Sequence, residues 1–526
     1  MHDASSSAGA SASKRARRKR VRRAVLALVL AAWAATGVWH AHKPMPAGLR
    51  VAPPWQSLAP DDVRFIADIT SADAYGRPVV SQAIFDEVLA TIGNAREFII
   101  ADFFLFNEHR GVHADAASRQ RPLARELRDA LITRKSVLPE LQVLFITDPI
   151  NEAYGGEASR QLAALRAAGI AVVPTDLDRL RDSNPAYSAV WRLALAWWMR
   201  WLDPKWLPHP FDDDGASVGL QSWARLANFK ANHRKVLLAD DGRGGLTGIV
   251  SSANPHDASS AHSNVALKLS GAVLEPLVAS ELAVARFSGR DGAIVRGSGP
   301  GAPAARQSDA GAANASPPSI TGIGTGRVVA ARVLTEGAIR DAIVERIAAA
   351  GRPDAVDIAM FYLAERAIVE ALLAASARGA TVRLILDPNK DAFGRTKSGI
   401  PNRQVAGELV SRSNGSIKVR WYRTHGEQFH TKLVVVRGTD RVWLTAGSAN
   451  LTRRNIRDYN LEANVAIEAA AETALASQVL EYFETLWSNR APLGIEYTAD
   501  FDVYADPSQL RYWQYRFMEA SGMSTF

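Results

Sequence analysis

The chain has 526 residues, enough for two or three domains with sizeable cores, and its apolar (47%) and charged (22%) content is that of a folded protein. It holds no cysteine, which excludes disulfides, thiolate nucleophiles and cysteine-based metal or iron–sulfur sites. The net charge of +8 suggests a polyanion binder, but residues 14–23, "KRARRKRVRR", contribute eight cations, and the rest of the chain is near neutral.

Directly after this tail comes "AVLALVLAAWAATGVW", Ala24 to Trp39, sixteen residues without a charge. A bilayer crossing needs about 20 apolar residues, so the run is short, but its two tryptophans suit a membrane interface. Residues 1–57 are read as a basic N-terminus with a membrane anchor at 24–39; a cleaved signal peptide, cut near "ATG", is the alternative. The excess of cations before the run places the tail in the cytoplasm and all that follows outside. The expected location is the inner membrane, with one N-terminal anchor and the remaining domains on the periplasmic side.

From here the chain says the same thing twice. "REFIIADFFLFN" (96–107) has a counterpart in "AVDIAMFYLAE" (355–365), each a buried strand followed by a helical stretch. A second strand ends in Asp-Pro at Asp148 and at Asp387, both read as strand-end turns. Then come a helical segment, a third strand ("GIAVVPTD" or "SIKVRWYRT"), and a strand headed by His-x-Lys: "HRKVLLAD" from His233 and "HTKLVVVR" from His430. A "SAN" turn closes each copy at Ser252–Asn254 and Ser448–Asn450. Strands alternating with helices predict an α/β fold of two pseudo-symmetric domains, each a mostly parallel sheet flanked by helices. The domains are placed at 58–290 and 327–495. A Gly-, Ala-, Ser- and Pro-rich flexible linker falls at 291–326 and a tail at 496–526.

The copies differ in length. Asp148 to His233 spans 85 positions, Asp387 to His430 only 43, and five of the thirteen tryptophans fall between Trp191 and Trp206 in the excess. This Trp-rich insert (186–213) is either a helical cap on the core or an interfacial helix or acyl-chain pocket.

Side chains two apart on a strand share a face, so His233 pairs with Lys235 and His430 with Lys432. The Ser and Asn of each small-residue turn offer donors suited to phosphate oxygens: Ser252 and Asn254, Ser448 and Asn450. One His-x-Lys means little. Two, each followed at nearly equal spacing by Ser-x-Asn inside a larger repeat, form a specific pattern.

The pattern resembles the phospholipase D superfamily, with its H-x-K-x4-D and G-S-x-N signatures, and the layout with an anchor and paired domains is similar to the cardiolipin-synthase-like branch. The first copy matches through Asp240 but reads "SSAN" at its turn; the second has Arg437 in place of the acid and an intact "GSAN". The resemblance implies an active site at the domain interface that cleaves or transfers a phosphodiester of membrane phospholipids through a phosphohistidine, with no metal and no cofactor. One of His233 and His430 would attack phosphorus and the other would protonate the leaving alcohol, while Lys235 and Lys432 neutralise the anion. The partners it implies are a phospholipid substrate and the membrane, with nucleic acid less favoured.

Each imidazole needs an acceptor on its far nitrogen. "NLEANVAI" supplies Glu462 in the second half, 32 positions after His430; the matching "AHSNVALK" supplies no acid, so Asp257 is the substitute. Asp240, at the far end of its strand, is expected to bond a nearby turn and play a structural part. Two other readings stand beside the leading one: a nuclease using the same chemistry, and a catalytically silent phosphate-binding scaffold, motivated by Arg437 and the missing acid.

Overall fold

The computed structural model describes residues 4–73, 75–109, 120–199, 204–212, 215–290, 329–392, 395–490, 495–524 and 526. The expected linker at 291–326 lies outside the described residues, as do 200–203 and 213 of the Trp-rich insert.

The apolar run after the basic tail is part of a longer helix, Ala4–His42, whose stretch Arg15–His42 is long and apolar enough to cross a membrane. Counting only uncharged residues understates it, because the helix continues on both sides of the run. Its foot rests on the start of the insert. The Trp33 indole donates to the Ala186 carbonyl at 2.8 Å, and Gly37 leaves so little room that a Cβ would lie 3.2 Å from the Pro185 carbonyl. Both contacts are with the short helix Pro185–Val190.

Two large sheets form the body. The strands are β1 (Gln56–Leu58), β2 (Val63–Ala72), β3 (Pro78–Ser81), β4 (Phe98–Phe103), β5 (Gln142–Thr147), β6 (Ala171–Pro174), β7 (Lys235–Asp240), β8 (Leu246–Ser251) and β9 (Asn264–Ser270). The second half adds β10 (Val329–Thr335), β11 (Ala355–Met360), β12 (Thr381–Leu386), the two-residue pair β13 (Asp391–Ala392) and β14 (Arg395–Thr396), β15 (Lys418–Tyr422), β16 (Lys432–Arg437), β17 (Arg441–Gly447), β18 (Ala463–Ala470) and β19 (Thr498–Asp500). One sheet runs β3-β2-β9-β8-β7-β4-β5-β6 and the other β1-β10-β18-β17-β16-β11-β12-β15-β19. Without the edge strands β3, β1 and β19 the two orders superpose, strand for strand. The repeat read in the sequence is therefore a repeat of topology.

The sheets are not mostly parallel, which corrects the expectation above. Only β4-β5-β6 and β11-β12-β15, the segments joined through helices, pair in parallel; the strands carrying the motifs pair antiparallel. The reason is connection length. From Asp240 at the end of β7 to Leu246 at the start of β8 there is room for a hairpin but not for a crossover helix. The sheets share one apolar core, with Leu267, Val250 and Val265 from the first half and Val465, Leu444 and Leu433 from the second all buried in it. Each sheet has a further buried cluster of its own on its other side.

Candidate active site

Both motif strands begin at the lysine. Each histidine lies two residues earlier in an extended lead-in that pairs with the opposite half: Asn232 bridges to Leu461, and Ser263 to Phe429. The His233 amide donates to the Leu461 carbonyl at 2.9 Å, and the Ser263 amide to the Gln428 carbonyl at 3.1 Å. The Asp-Pro carboxylates pin the same segments. Asp148 accepts the Asn232 amide at 2.7 Å and Asp387 the Phe429 amide at 2.8 Å, each binding the residue just before the motif histidine. They end their strands as expected, and they also hold the segments that lead into the motif histidines, a role invisible without the long-range contact.

His233 and His430 line one cavity of about 490 Å3. Phe104 packs on His233 at 4.9 Å between ring centres and carries the Lys235 ammonium 5.2 Å from its ring. Phe361 repeats this with His430 at 5.0 Å and Lys432 at 5.3 Å. Each lysine donates to the carbonyl of its own histidine, at 2.7 Å for Lys235 and 2.9 Å for Lys432, and both are fully buried just behind the cavity wall. Burial, against the pull of Glu462, Asp102 and Asp148, brings the Lys235 ammonium down to about 7. Burial and the neighbouring Lys235 push Lys432 well below its ordinary value, so the second-half lysine feels the cation of the first half.

The orienting partners cross between halves. His233 Nδ1 meets Glu462 Oε1 at 2.8 Å, so the second-half acid serves the first-half histidine and not His430. The local spacing that assigned Glu462 to His430 is overridden by the pairing of Leu461 with Asn232. Glu462 also takes the Ser448 hydroxyl and an Asn455 amide proton, and burial pushes it up to about 8. His430 Nδ1 meets Asn264 Oδ1 at 3.1 Å. Asn264 Nδ2 donates to the His262 carbonyl at 3.0 Å, which leaves Oδ1 as the atom turned to the imidazole. Asp257, expected to hold the first-half histidine, is not the acceptor of His233 Nδ1, a second correction: its Oδ1 accepts the Ala124 amide at 3.1 Å, at the start of the helix Leu123–Val137. Burial first, then the neighbouring cations, Lys235 and Lys432 for His233 and Lys432 for His430, hold both histidines well below their ordinary pKa.

The four turn residues divide. Asn254 and Asn450 line the cavity. Ser252 and Ser448 are fully buried and face the orienting groups: Ser252 donates to Asn264 Oδ1 at 2.9 Å and accepts the Val265 amide, while Ser448 binds Glu462 and accepts the Ala463 amide. They were expected on phosphate; the turn aims them at the next strand, where they steady the histidine partners. Asp240 accepts the backbone amides of Arg96, Glu97, Phe98 and Gly242. Burial alone would raise its pKa, but these amides reverse the effect and hold it below the usual carboxylate range. Its counterpart Arg437 lies 3.5 Å from Asp357, and the equivalent turn is tied instead by Asp354, which accepts the Gly351 amide at 3.1 Å. The departure from the motif is thus confined to the strand end.

Three acids and one arginine escaped the sequence reading. Arg234, between His233 and Lys235, points away from the cavity and is completely buried, 3.1 Å from Glu281 and 2.7 Å from Glu336 of the other half. Glu336 also accepts the Glu462 amide at 3.2 Å, and Asp102 turns both carboxylate oxygens to Asn232 Nδ2 at 2.9 Å, which donates as well to the Thr175 hydroxyl. The signal was present in the middle residue of "HRK", a cation on the face opposite the histidine and lysine.

A family model described as "Cardiolipin synthase, PLD-like domain" matches residues 343–487. Comparison with curated proteins finds no match. The fold of phosphatidylserine synthase from Haemophilus influenzae aligns over 89% of this chain and 96% of that one, with a TM-score of 0.52 at 12% identity. Nuc from Salmonella typhimurium, described as a phospholipase D family member, aligns over 32% of this chain and 97% of its own, with a TM-score of 0.24 at 19% identity. The family match lies over the second motif, and the first half repeats that topology and brings its own motif into the same cavity, so residues 343–487 match a phospholipase D-like domain and the fold as a whole is similar to that of the phosphatidylserine synthase.

Proposed function

We propose that the protein is a membrane-anchored phospholipase D-type enzyme that cleaves a phospholipid phosphodiester and passes the phosphatidyl group to water or an alcohol. The observation that carries this reading is the cavity wall. The two histidines share it with Phe104, Phe211, Phe229 and Tyr362 beside the cations Lys230, Lys397 and Arg454, a lining with apolar surface for acyl chains and charge for a phosphate, as a phospholipid needs.

The roles follow from the partners. His233, with Nδ1 donating to the Glu462 carboxylate, keeps Nε2 unprotonated and electron-rich, and serves as the nucleophile. Its Nε2 bonds to phosphorus as the headgroup P–O bond breaks, and His430, which takes up its proton once the entering phosphate anion offsets the lysines, gives that proton to the departing alkoxide. His430 then takes a proton from the acceptor, whose oxygen displaces His233 from phosphorus and restores the free enzyme. A neutral amide partner stabilises the imidazolium less than a carboxylate would, which makes His430 the stronger acid. Lys235 and Lys432 reach the phosphate region from behind both histidines, and an entering anion favours their charged forms. Asn254 and Asn450 supply amide donors on the wall.

The test is product analysis. Purified protein incubated with vesicles of phosphatidylcholine, phosphatidylglycerol and cardiolipin, with and without glycerol, should release headgroup or exchange it. His233→Ala and His430→Ala should do neither. Equal turnover by all three proteins rejects the site, and acid-stable label on protein quenched in the first turnover would count against a phosphohistidine.

A further inference from the structure

The helix Gln509–Ser521 buries Tyr515 and Glu519 against the second half and leaves Leu510, Trp513 and Phe517 exposed at 80%, 64% and 62%. These three fall on one stripe, three and four residues apart. Two large aromatics and a leucine standing together in water mark an interaction face.

Beside the stripe lies a groove of about 550 Å3, lined by Arg366, Arg453, Arg457, Arg516, Trp513 and Phe517 together with Glu365 and Glu519. Arg366 and Arg457 are matched by Glu408 and Glu365. The side chains of Arg453 and Arg516 donate to neutral oxygens: Arg453 to the Tyr459 hydroxyl (2.9 Å) and the Ser183 carbonyl (3.2 Å), Arg516 to the Tyr512 hydroxyl (2.8 Å). Glu519 accepts the Arg453 backbone amide and is pushed up to about 7 by burial, so it offsets only part of this charge. The groove joins cationic and aromatic walls, the combination that a lipid headgroup region meets.

Its position names the occupant. Gly522, which ends the helix, is packed on the Ser183 carbonyl, and the Asp182 amide donates to the His40 carbonyl in the last turn of the N-terminal helix at 2.9 Å. Two residues therefore join the arginine groove to the foot of the helix that can cross a membrane. Trp39, one residue before His40, is itself 64% exposed.

We propose that this C-terminal helix is a second membrane contact, with Leu510, Trp513 and Phe517 set among the acyl chains and the phosphate of an anionic phospholipid held between Arg453 and Arg516. The proposal rests on the membrane-anchored reading above. Arg454 and Phe526, neighbours of this surface in the chain, line the active-site cavity, so the contact holds that wall at the lipid surface.

The absence of cysteine makes the test direct. Full-length Phe517→Cys carries a nitroxide, and Val137→Cys, exposed on the helix Leu123–Val137, gives an aqueous reference. Both are reconstituted in phosphatidylcholine vesicles with or without phosphatidylglycerol. In phosphatidylglycerol vesicles the label at 517 should be several-fold more accessible to oxygen, and less to a water-soluble nickel chelate, than the label at 137. Adding Arg516→Glu should bring it to the level seen in phosphatidylcholine alone. A label at 517 as aqueous as that at 137 in both vesicles overturns the inference. A shielded label indifferent to both phosphatidylglycerol and Arg516→Glu overturns the headgroup seat. Protein that does not float with vesicles overturns the anchor as well, whereas floating protein with an aqueous 517 sinks the second contact alone.

Discussion

Glu462 and His233 belong to opposite halves of a duplicated fold, 229 positions apart, and their side chains meet at 2.8 Å. Neither half can form a complete histidine–acceptor pair by itself, because His430 in turn depends on Asn264 of the first half at 3.1 Å. Glu462→Gln keeps the shape and an acceptor oxygen but removes an acid that can ionise as His233 becomes cationic and so stabilise the imidazolium. The expected result is a fall of about 10²- to 10⁴-fold in kcat with little change in KM, the range seen when an orienting carboxylate is neutralised. Steady-state headgroup release measures it; a loss confined to KM would show that Glu462 serves binding instead.

The motifs were legible because the chain repeats them at matched spacing, and buried apolar runs such as Leu433–Val436 marked their strands. Which half served which histidine was not legible. The bridges Asn232 to Leu461 and Ser263 to Phe429 are long-range contacts with no local signature. The same limit explains Ser252 and Ser448: their residue type suits a phosphate, but their aim is set by the turn between strands. The hairpin from β7 to β8 could have been read from its short connection, which leaves no room for the helix that parallel pairing needs.

Asn264 offers a graded test of the acid. Asn264→Asp places a negative charge on His430 Nδ1, where the wild type has an amide oxygen. A nearby anion favours the imidazolium, so the pKa of His430 rises and its proton is held to higher pH. The alkaline limb of the kcat profile should move upward, and the step that protonates the leaving alcohol should slow for substrates with poor leaving groups. An unmoved alkaline limb would mean that His430 is not the proton donor.

Asp240 separates stability from chemistry. Removing its carboxylate strands the amides of Arg96, Glu97, Phe98 and Gly242 beside the buried strand end. Asp240→Ala should cost about 1–3 kcal/mol, read as a lowered midpoint in denaturant, with the turnover of the folded fraction unchanged. The pKa of Asp240 is lower in the folded protein than in the unfolded chain. Its contribution is therefore present above the unfolded carboxylate value, about 3.9, and is lost as pH falls through the folded value. The difference between wild type and variant should narrow in acid and stay constant at neutral pH and above.

Arg234 tests how firmly the halves are joined. It is buried between Glu281 of its own half and Glu336 of the other, and Glu336 in turn accepts the backbone amide of Glu462. Arg234→Met removes the cation and leaves two acids in an apolar interface, a loss of about 3–5 kcal/mol for breaking a buried ion network. Burial pushes Glu336 up to about 7 even with Arg234 present. An acid whose pKa is raised on folding holds its proton more tightly in the folded state, so stability falls as pH rises from the unfolded value through the folded one. Without the arginine that window extends further upward, and the variant should be weakest at mildly alkaline pH and partly recovered at mildly acidic pH. Neutralising the acids as well, in Arg234→Met/Glu281→Gln/Glu336→Gln, should recover much of the loss and flatten the pH dependence. A triple variant as unstable as the single one would show that the guanidinium contributes mainly by packing, and that charge does not hold the two halves together at this point.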